Sequence, residues 1–216
     1  MDYQRDYILR LIHMLGDLMR RLAERVDDCA RGRMLDETCR EFCGMPLEAA
    51  EALAPESLRT LLAPLPRLVL AELLLGKAQA MTLPDDEQTA LRLRALGLLA
   101  SLYPESQLCE LRAERLIHLK AELLPWLSAA ELMDCARFFA MAERYDEMED
   151  ALFQALAREQ GAQRDADRAE AAAMLRRAAH APAMVLARSR MDAAELRASA
   201  RELENESTPQ EQENPE

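Results

Sequence analysis

The 216-residue chain has a formal net charge of −12, is half hydrophobic and contains few aromatic residues. Such an acidic balance argues against a general nucleic-acid binder, which needs a basic footprint to neutralise phosphates. A core poor in aromatic residues must be built from Leu, Ala and Met, which are good helix formers, whereas only three valines occur. The composition therefore predicts an all-α protein.

The chain shows no signal for secretion or for a membrane. Residues 1–6 contain no apolar segment of the secretory type. The apolar runs are far shorter than the ~20 residues of a membrane-spanning helix. Five cysteines at irregular spacings do not resemble a disulfide framework and fit a reducing compartment. We therefore expect a soluble cytoplasmic protein that binds neither nucleic acid nor membranes.

The N-terminal segment, residues 1–28, has the clearest periodicity. Its apolar residues recur at steps of three and four, which predicts a long amphipathic helix from Tyr3 to Val26. The apolar stripe is wider than a coiled-coil seam and would leave a large patch in water. We expect one edge to pack on the following helices and the rest to complete a homodimer or bind a partner helix. The residues predicted for this contact are Tyr7, Ile8, Leu11, Leu15, Leu18 and Leu22.

Residues 29–66 are predicted to form a helical connecting region. The polar residues around Gly32 indicate a loop at 27–35. The helix that follows is expected to break at Gly44-Met45-Pro46, because proline cannot continue a helix interior. Pro64 is expected to end the last helix of this region.

Residues 67–204 are predicted to form a helical-hairpin repeat region. Amphipathic segments alternate there with joints that contain a proline or a cap, as in antiparallel hairpins. Ser128 and Glu131 have the spacing of a capping box, and Trp126, alone after a proline, is expected to plug a hairpin corner. The segment 205–216 has no apolar residue to anchor it and is predicted to be a disordered acidic tail.

One hairpin of this region resembles a tetratricopeptide repeat. In that pattern small residues let two antiparallel helices approach closely, and large residues fill the groove beside them. Ala136 and Ala155 occupy the small positions, and Phe139 and Tyr145 the large ones. The segment DYILRLIHMLGDLMRRL followed by such hairpins also resembles an uncharacterised bacterial family with tetratricopeptide-like helical hairpins. The resemblance implies a short tetratricopeptide-like solenoid and leaves the function open.

No motif for catalysis or cofactor binding occurs in the sequence. The glycines are isolated, so no phosphate-binding loop is present. Glu114, His118 and Glu122 share one helix face, but a di-metal site needs Glu-x-x-His twice and two further glutamates. We interpret these three residues as a solvated polar face. We expect no enzymatic activity, no cofactor and no bound metal.

Two functional classes fit the sequence. The favoured class is a non-enzymatic helical-repeat protein–protein interaction module, which binds a partner through a groove between hairpins. The alternative is a thiol- or metal-responsive regulator using Cys29, Cys39 and Cys43. The spacing of these cysteines differs from that of structural zinc sites, and free Cys often behaves as a small buried hydrophobe.

Overall fold

The computed structural model describes residues 2–24 and 27–205, with side chains from Asp6 onward. All regular elements in these ranges are helices and none is a strand, so the predicted all-α class is confirmed. The chain divides into two compact units, Met1–Leu127 (unit 1) and Ser128–Glu216 (unit 2), and this boundary falls inside the predicted repeat region. Val26 and the acidic tail beyond Asn205 lie outside the described residues.

Unit 1 is built around one central helix. Its helices, within the ranges described above, are α1 (Asp2–Glu24), α2 (Asp28–Cys43), α3 (Leu47–Ala52), α4 (Pro55–Leu61), α5 (Pro64–Ala80), α6 (Asp85–Ala100) and α7 (Ser106–Leu123), followed by a 3-10 turn at Leu124–Trp126. Helix α5 packs on α1, α2 and α6, and α6 also contacts α4 and α7. Every residue of α5 from Leu68 to Gly76 is buried, as expected of a helix surrounded by others.

Helix α1 approaches α5 closely at Gly76. A Cβ atom at this position would lie 2.4 Å from Sδ and 2.7 Å from Cε of Met19. Carbon atoms in contact normally lie 3.5–4.0 Å apart. Glycine is therefore the residue that lets the Met19 side chain pack against the backbone of α5.

The predicted loop at 27–35 is wrong, because α2 begins at Asp28. The carboxylate of Asp27 caps the helix by accepting the N–H groups of Cys29 and Ala30 at 3.0 and 3.2 Å. Such a cap stabilises a helix by about 1 kcal/mol, which offsets the similar cost of Gly32 in the helix interior.

Of two helix ends predicted at prolines, one is confirmed and one is wrong. The predicted break at Gly44-Met45-Pro46 is confirmed, since α2 ends at Cys43 and Gly44 takes a left-handed φ of 70°. Pro64, predicted to end a helix, instead begins α5. A proline in the first turn has no N–H, but that N–H would find no partner within the helix in any case.

Unit 2 consists of two helix pairs and one short helix in its described part. Its helices are α8 (Ala129–Met141), α9 (Tyr145–Leu156), α10 (Ala162–Ala178), α11 (Ala183–Arg188) and α12 (Ala193–Asn205). Helix α8 packs on α9, and α10 packs on α12. The capping box of Ser128 and Glu131 forms as predicted. The four residues that carry the tetratricopeptide resemblance, Ala136, Phe139, Tyr145 and Ala155, are all buried.

A buried serine joins two turns of unit 2. The Ser189 hydroxyl accepts the N–H of Tyr145 at 3.0 Å and donates to the carbonyl oxygen of Glu143 at 3.1 Å. Glu143 has a φ of 56°, in the left-handed region that side chains other than glycine disfavour. Arg188 also binds the Glu143 carboxylate at 2.7 Å. The α8–α9 turn is therefore held in its strained form by the segment between α11 and α12.

Candidate functional site

The predicted contact residues of α1 are mostly inside the protein. Ile8, Leu11, Leu15, Leu18 and Leu22 are each at most 5% exposed. Their helix packs on α5 within the same chain, so these five side chains present no surface to a partner in this structure. Tyr7 differs, because it is 47% exposed.

The three cysteines of the regulator hypothesis do not form one site. Cys39 and Cys43 are buried on α2, where the Cys43 thiol donates to the carbonyl oxygen of Pro66 at 3.5 Å. The proximity of the two thiols lowers the pKa of Cys39, whereas the same proximity together with burial raises the pKa of Cys43. Cys29 is exposed and ten residues earlier on the helix, which places it about 15 Å away along the axis. No cluster of three potential metal ligands occurs among the described residues.

A groove of about 580 Å³ opens in unit 1 where α5 and α7 end and α6 begins. We call it the α5–α7 groove. Its floor is apolar and comes from the buried residues Leu75, Leu119 and Leu123. Its polar lining includes Gln79, Thr89, Arg92, Arg115, His118 and Glu122, and Trp126 completes it. The groove therefore combines an apolar base with charged groups around it.

Trp126 is 58% exposed at the edge of this groove, so its predicted role as a corner plug is wrong. The 3-10 turn directs the side chain of Leu127 inward. The N–H of Leu127 donates to the carbonyl oxygen of Leu124 at 3.4 Å. Leu123 and Leu127 are 2% and 3% exposed and fill the buried positions at this corner. A large aromatic side chain is thus left facing solvent, an arrangement common in binding surfaces.

Arg115 is held at the groove by a buried carboxylate. Glu72 of α5 is 5% exposed. Its Oε2 lies 2.9 Å from Nη2 of Arg115, and its Oε1 lies 3.0 Å from Nε of Arg112. A buried carboxylate needs such partners to offset the loss of hydration. Because two guanidinium groups share one carboxylate, the trio has one net positive charge, and Arg115 remains partly accessible.

Arg92 of α6 is a second cation in the lining of the groove. Its Nη2 donates to Oε1 of Gln88 at 3.5 Å, which is long for a hydrogen bond. No ion pair of Arg92 occurs within the described ranges. A guanidinium has five N–H donors in a fixed fork, so most of those of Arg92 remain available to a ligand.

Three further polar residues of α7 follow one another at steps of four positions. Glu114, His118 and Glu122 are all exposed along one face, as the sequence predicts. His118 and Glu122 make no hydrogen bond to each other in the described structure. A general acid and base need partners within hydrogen-bond reach. Among the described residues, His118 and Glu122 therefore form no such pair with each other, and both are exposed polar groups in the lining of the groove.

Arg92 was not predicted as a functional residue, and Trp126 was predicted in the wrong environment. Arg92 lies on α6 two positions before Arg94, and nothing in its local pattern distinguishes it. The one usable signal was the Pro125-Trp126 pair, because proline starts a new turn and can aim the next side chain outward.

A comparison of the chain with protein families, with curated proteins and with solved structures found no match. Among the described residues, no helix combines the length and the apolar character that crossing a bilayer requires. The function must therefore be argued from the groove itself.

Proposed function

We propose that this chain is a cytoplasmic, non-enzymatic helical-repeat module that binds another protein through the α5–α7 groove. The observation that carries the proposal is the exposed Trp126 beside an apolar floor and an arginine without an ion pair in the described residues. Trp and Arg are the residue types most enriched at the energetic centres of protein interfaces. A volume near 580 Å³ also lies within the usual range of binding sites.

The packing of each unit supports a tetratricopeptide-like arrangement. Helices α5 and α6 form one closely packed pair with a short connection, and α8 and α9 form another. In unit 2, Arg137 of α8 binds both carboxylate oxygens of Glu170 of α10, at 2.7 and 2.8 Å. This bidentate ion pair joins the first helices of two successive pairs, a contact that agrees with hairpins stacked side by side. We infer a short stack of hairpins within each unit.

The proposal is tested by capturing partners from the native host on the immobilised full chain. Trp126→Ala removes the aromatic group, and Leu61→Ala is the matched control, because Leu61 is 61% exposed on α4 and does not line the groove. Loss of a central Trp typically costs at least 2 kcal/mol of binding, or roughly a 30-fold weaker Kd. We expect the same partner to be retained by the wild type and Leu61→Ala and lost by Trp126→Ala. A set of captured proteins that is unchanged by Trp126→Ala contradicts the proposal.

The regulator hypothesis has narrower support. Only Cys39 and Cys43 lie together, and Cys29 is too distant to share a ligand with them. Metal analysis of the purified chain and of the Cys39→Ala, Cys43→Ala double variant separates the two functions. Zinc that is present in the wild type and absent from the double variant would favour the regulator.

A further inference from the structure

We propose that the occupant of the α5–α7 groove is an acidic segment of the partner protein. It places a carboxylate against Arg92 and Arg115 and lays an aromatic or large aliphatic side chain on Trp126. This inference rests on the proposed function and specifies the chemistry of the partner.

The charge of the groove is opposite to that of the chain. The whole sequence carries a net charge of −12, yet Arg92 and the trio of Glu72, Arg112 and Arg115 each bring one positive charge to the groove. Glu122 is the one acidic side chain among the described residues that line the groove. An acidic segment is repelled by most of this protein and attracted here, so charge directs it to the groove.

The two arginines can bind a carboxylate at little further cost. Glu72 already fixes the guanidinium of Arg115, so less side-chain entropy is lost when a ligand binds. Arg92 has no competing carboxylate among the described residues. Arginine binds carboxylates through paired N–H groups, which gives direction as well as attraction.

The acidic start of α6 limits how the segment can lie. The first turn contains Asp85, Asp86 and Glu87, whose negative charges interact favourably with the positive end of the helix dipole. None of these three residues lines the groove. Arg92 follows Asp85 by seven residues, or about 10 Å along the axis. The acidic part of the ligand therefore lies toward Arg92 and α7, away from this first turn.

The apolar half of the proposal follows from Trp126 and the floor. Leu75, Leu119 and Leu123 form an apolar base next to the exposed indole. A side chain placed there removes apolar surface of both molecules from water, while a small anion could use the arginines alone. A peptide segment is therefore the occupant that uses every part of the groove.

The chain carries its own reporter, since Trp126 is the one tryptophan in the sequence. A 12-residue peptide phage library without tryptophan is selected on the immobilised full chain, and synthetic copies of the enriched peptides are titrated against it. We expect enriched peptides with several Asp or Glu residues and one large apolar residue, and a shift of the Trp126 emission to shorter wavelength. Arg92→Glu is expected to weaken the Kd about tenfold. Arg33→Glu makes the same change in net charge on the exposed face of α2 and is expected to have little effect.

Other binding results would overturn the acidic partner, the proposed function or both. Neutral or basic peptides that bind the immobilised wild type but no longer bind immobilised Trp126→Ala overturn the acidic partner and leave the proposed function intact. Failure to select any peptide that depends on Trp126 or Arg92 overturns both. Citrate or inorganic phosphate that shifts the emission and displaces the peptides at similar concentration would make this a small-anion site and overturn the inference. For an acidic segment, higher salt must weaken binding to the wild type more than to Arg92→Glu.

Discussion

Replacing Gly76 with Ala tests how closely α1 packs on α5. In a helix interior this substitution usually stabilises by about 0.5–1 kcal/mol, because glycine has more freedom to lose on folding. Here the new Cβ would lie 2.4 Å from Sδ of Met19. The thioether must therefore move by about 1 Å to reach normal contact.

The expected magnitude follows from these two opposing effects. Overpacking costs about 1–3 kcal/mol, and the flexible end of Met19 places this site in the lower half of that range. We therefore expect Gly76→Ala to change the free energy of unfolding by about 0 to −1.5 kcal/mol. Gly32→Ala is the control, since no atom lies within 4 Å of its added Cβ. It is expected to stabilise unit 1 by about 0.5–1 kcal/mol.

Urea unfolding followed by the emission of Trp126 measures both variants, because this tryptophan belongs to unit 1. The double variant with Met19→Ala completes a thermodynamic cycle, in which removal of the thioether should restore the gain from alanine. We expect a coupling energy of about 1 kcal/mol. If Gly76→Ala stabilises as much as Gly32→Ala, or if the coupling is below about 0.3 kcal/mol, α1 does not pack on α5 in this register.

Three further predictions concern unit 2 and the thiols. Ser189→Ala leaves the Tyr145 N–H and the Glu143 carbonyl without their partner, and it is expected to destabilise unit 2 by about 1–3 kcal/mol in urea unfolding followed by circular dichroism; an unchanged midpoint would contradict this bridge. Burial raises the pKa of the Glu149 carboxyl in the folded chain above its usual 4.5. The protonated carboxyl therefore favours folding below pH 4.5, and this contribution to stability is lost as the pH rises through the higher folded pKa. Glu149→Gln should therefore be more stable than the wild type at pH 7 and lose this advantage below pH 4, whereas a constant difference would refute the shift. A thiol reagent should modify Cys29 rapidly in the native chain and the four buried cysteines only on unfolding, and rapid reaction of more than one thiol would argue against their burial.

The helical class, the break at Gly44-Met45-Pro46 and the helix start at Ser128 could be predicted, because their signals are local. Leu, Ala and Met favour helix throughout, and the capping box at Ser128 needs only four consecutive residues. The errors arose where one residue type has two roles. Gly32 weakens a helix but does not end one when Asp27 caps it. Proline interrupts a helix when it lies in the interior, but it is favourable in the first turn. Pro64 lies in the first turn of α5.

The groove could not be predicted, because it depends on which helices lie side by side. The apolar stripe of α1 shows that these residues must be buried, but periodicity does not say whether α5 or a second chain covers them. In the same way, Arg92 and Arg115 are separated by 23 positions and lie in one groove only because α6 and α7 pack together. Trp126 was misplaced because the sequence does not show that Leu127 takes the buried position.

The packing of α1 on α5 sets an order of events during synthesis. Pairs such as α5 and α6 are neighbours in sequence, so each can close soon after it is made. Helix α1 ends at Glu24, and α5 is complete only 56 residues later, at Ala80. At about 5–20 residues per second, the apolar stripe of α1 stays uncovered for roughly 3–11 s on the ribosome. Nascent chains stalled before Pro64 should therefore recruit chaperones that longer chains, with α5 free of the ribosome, no longer need.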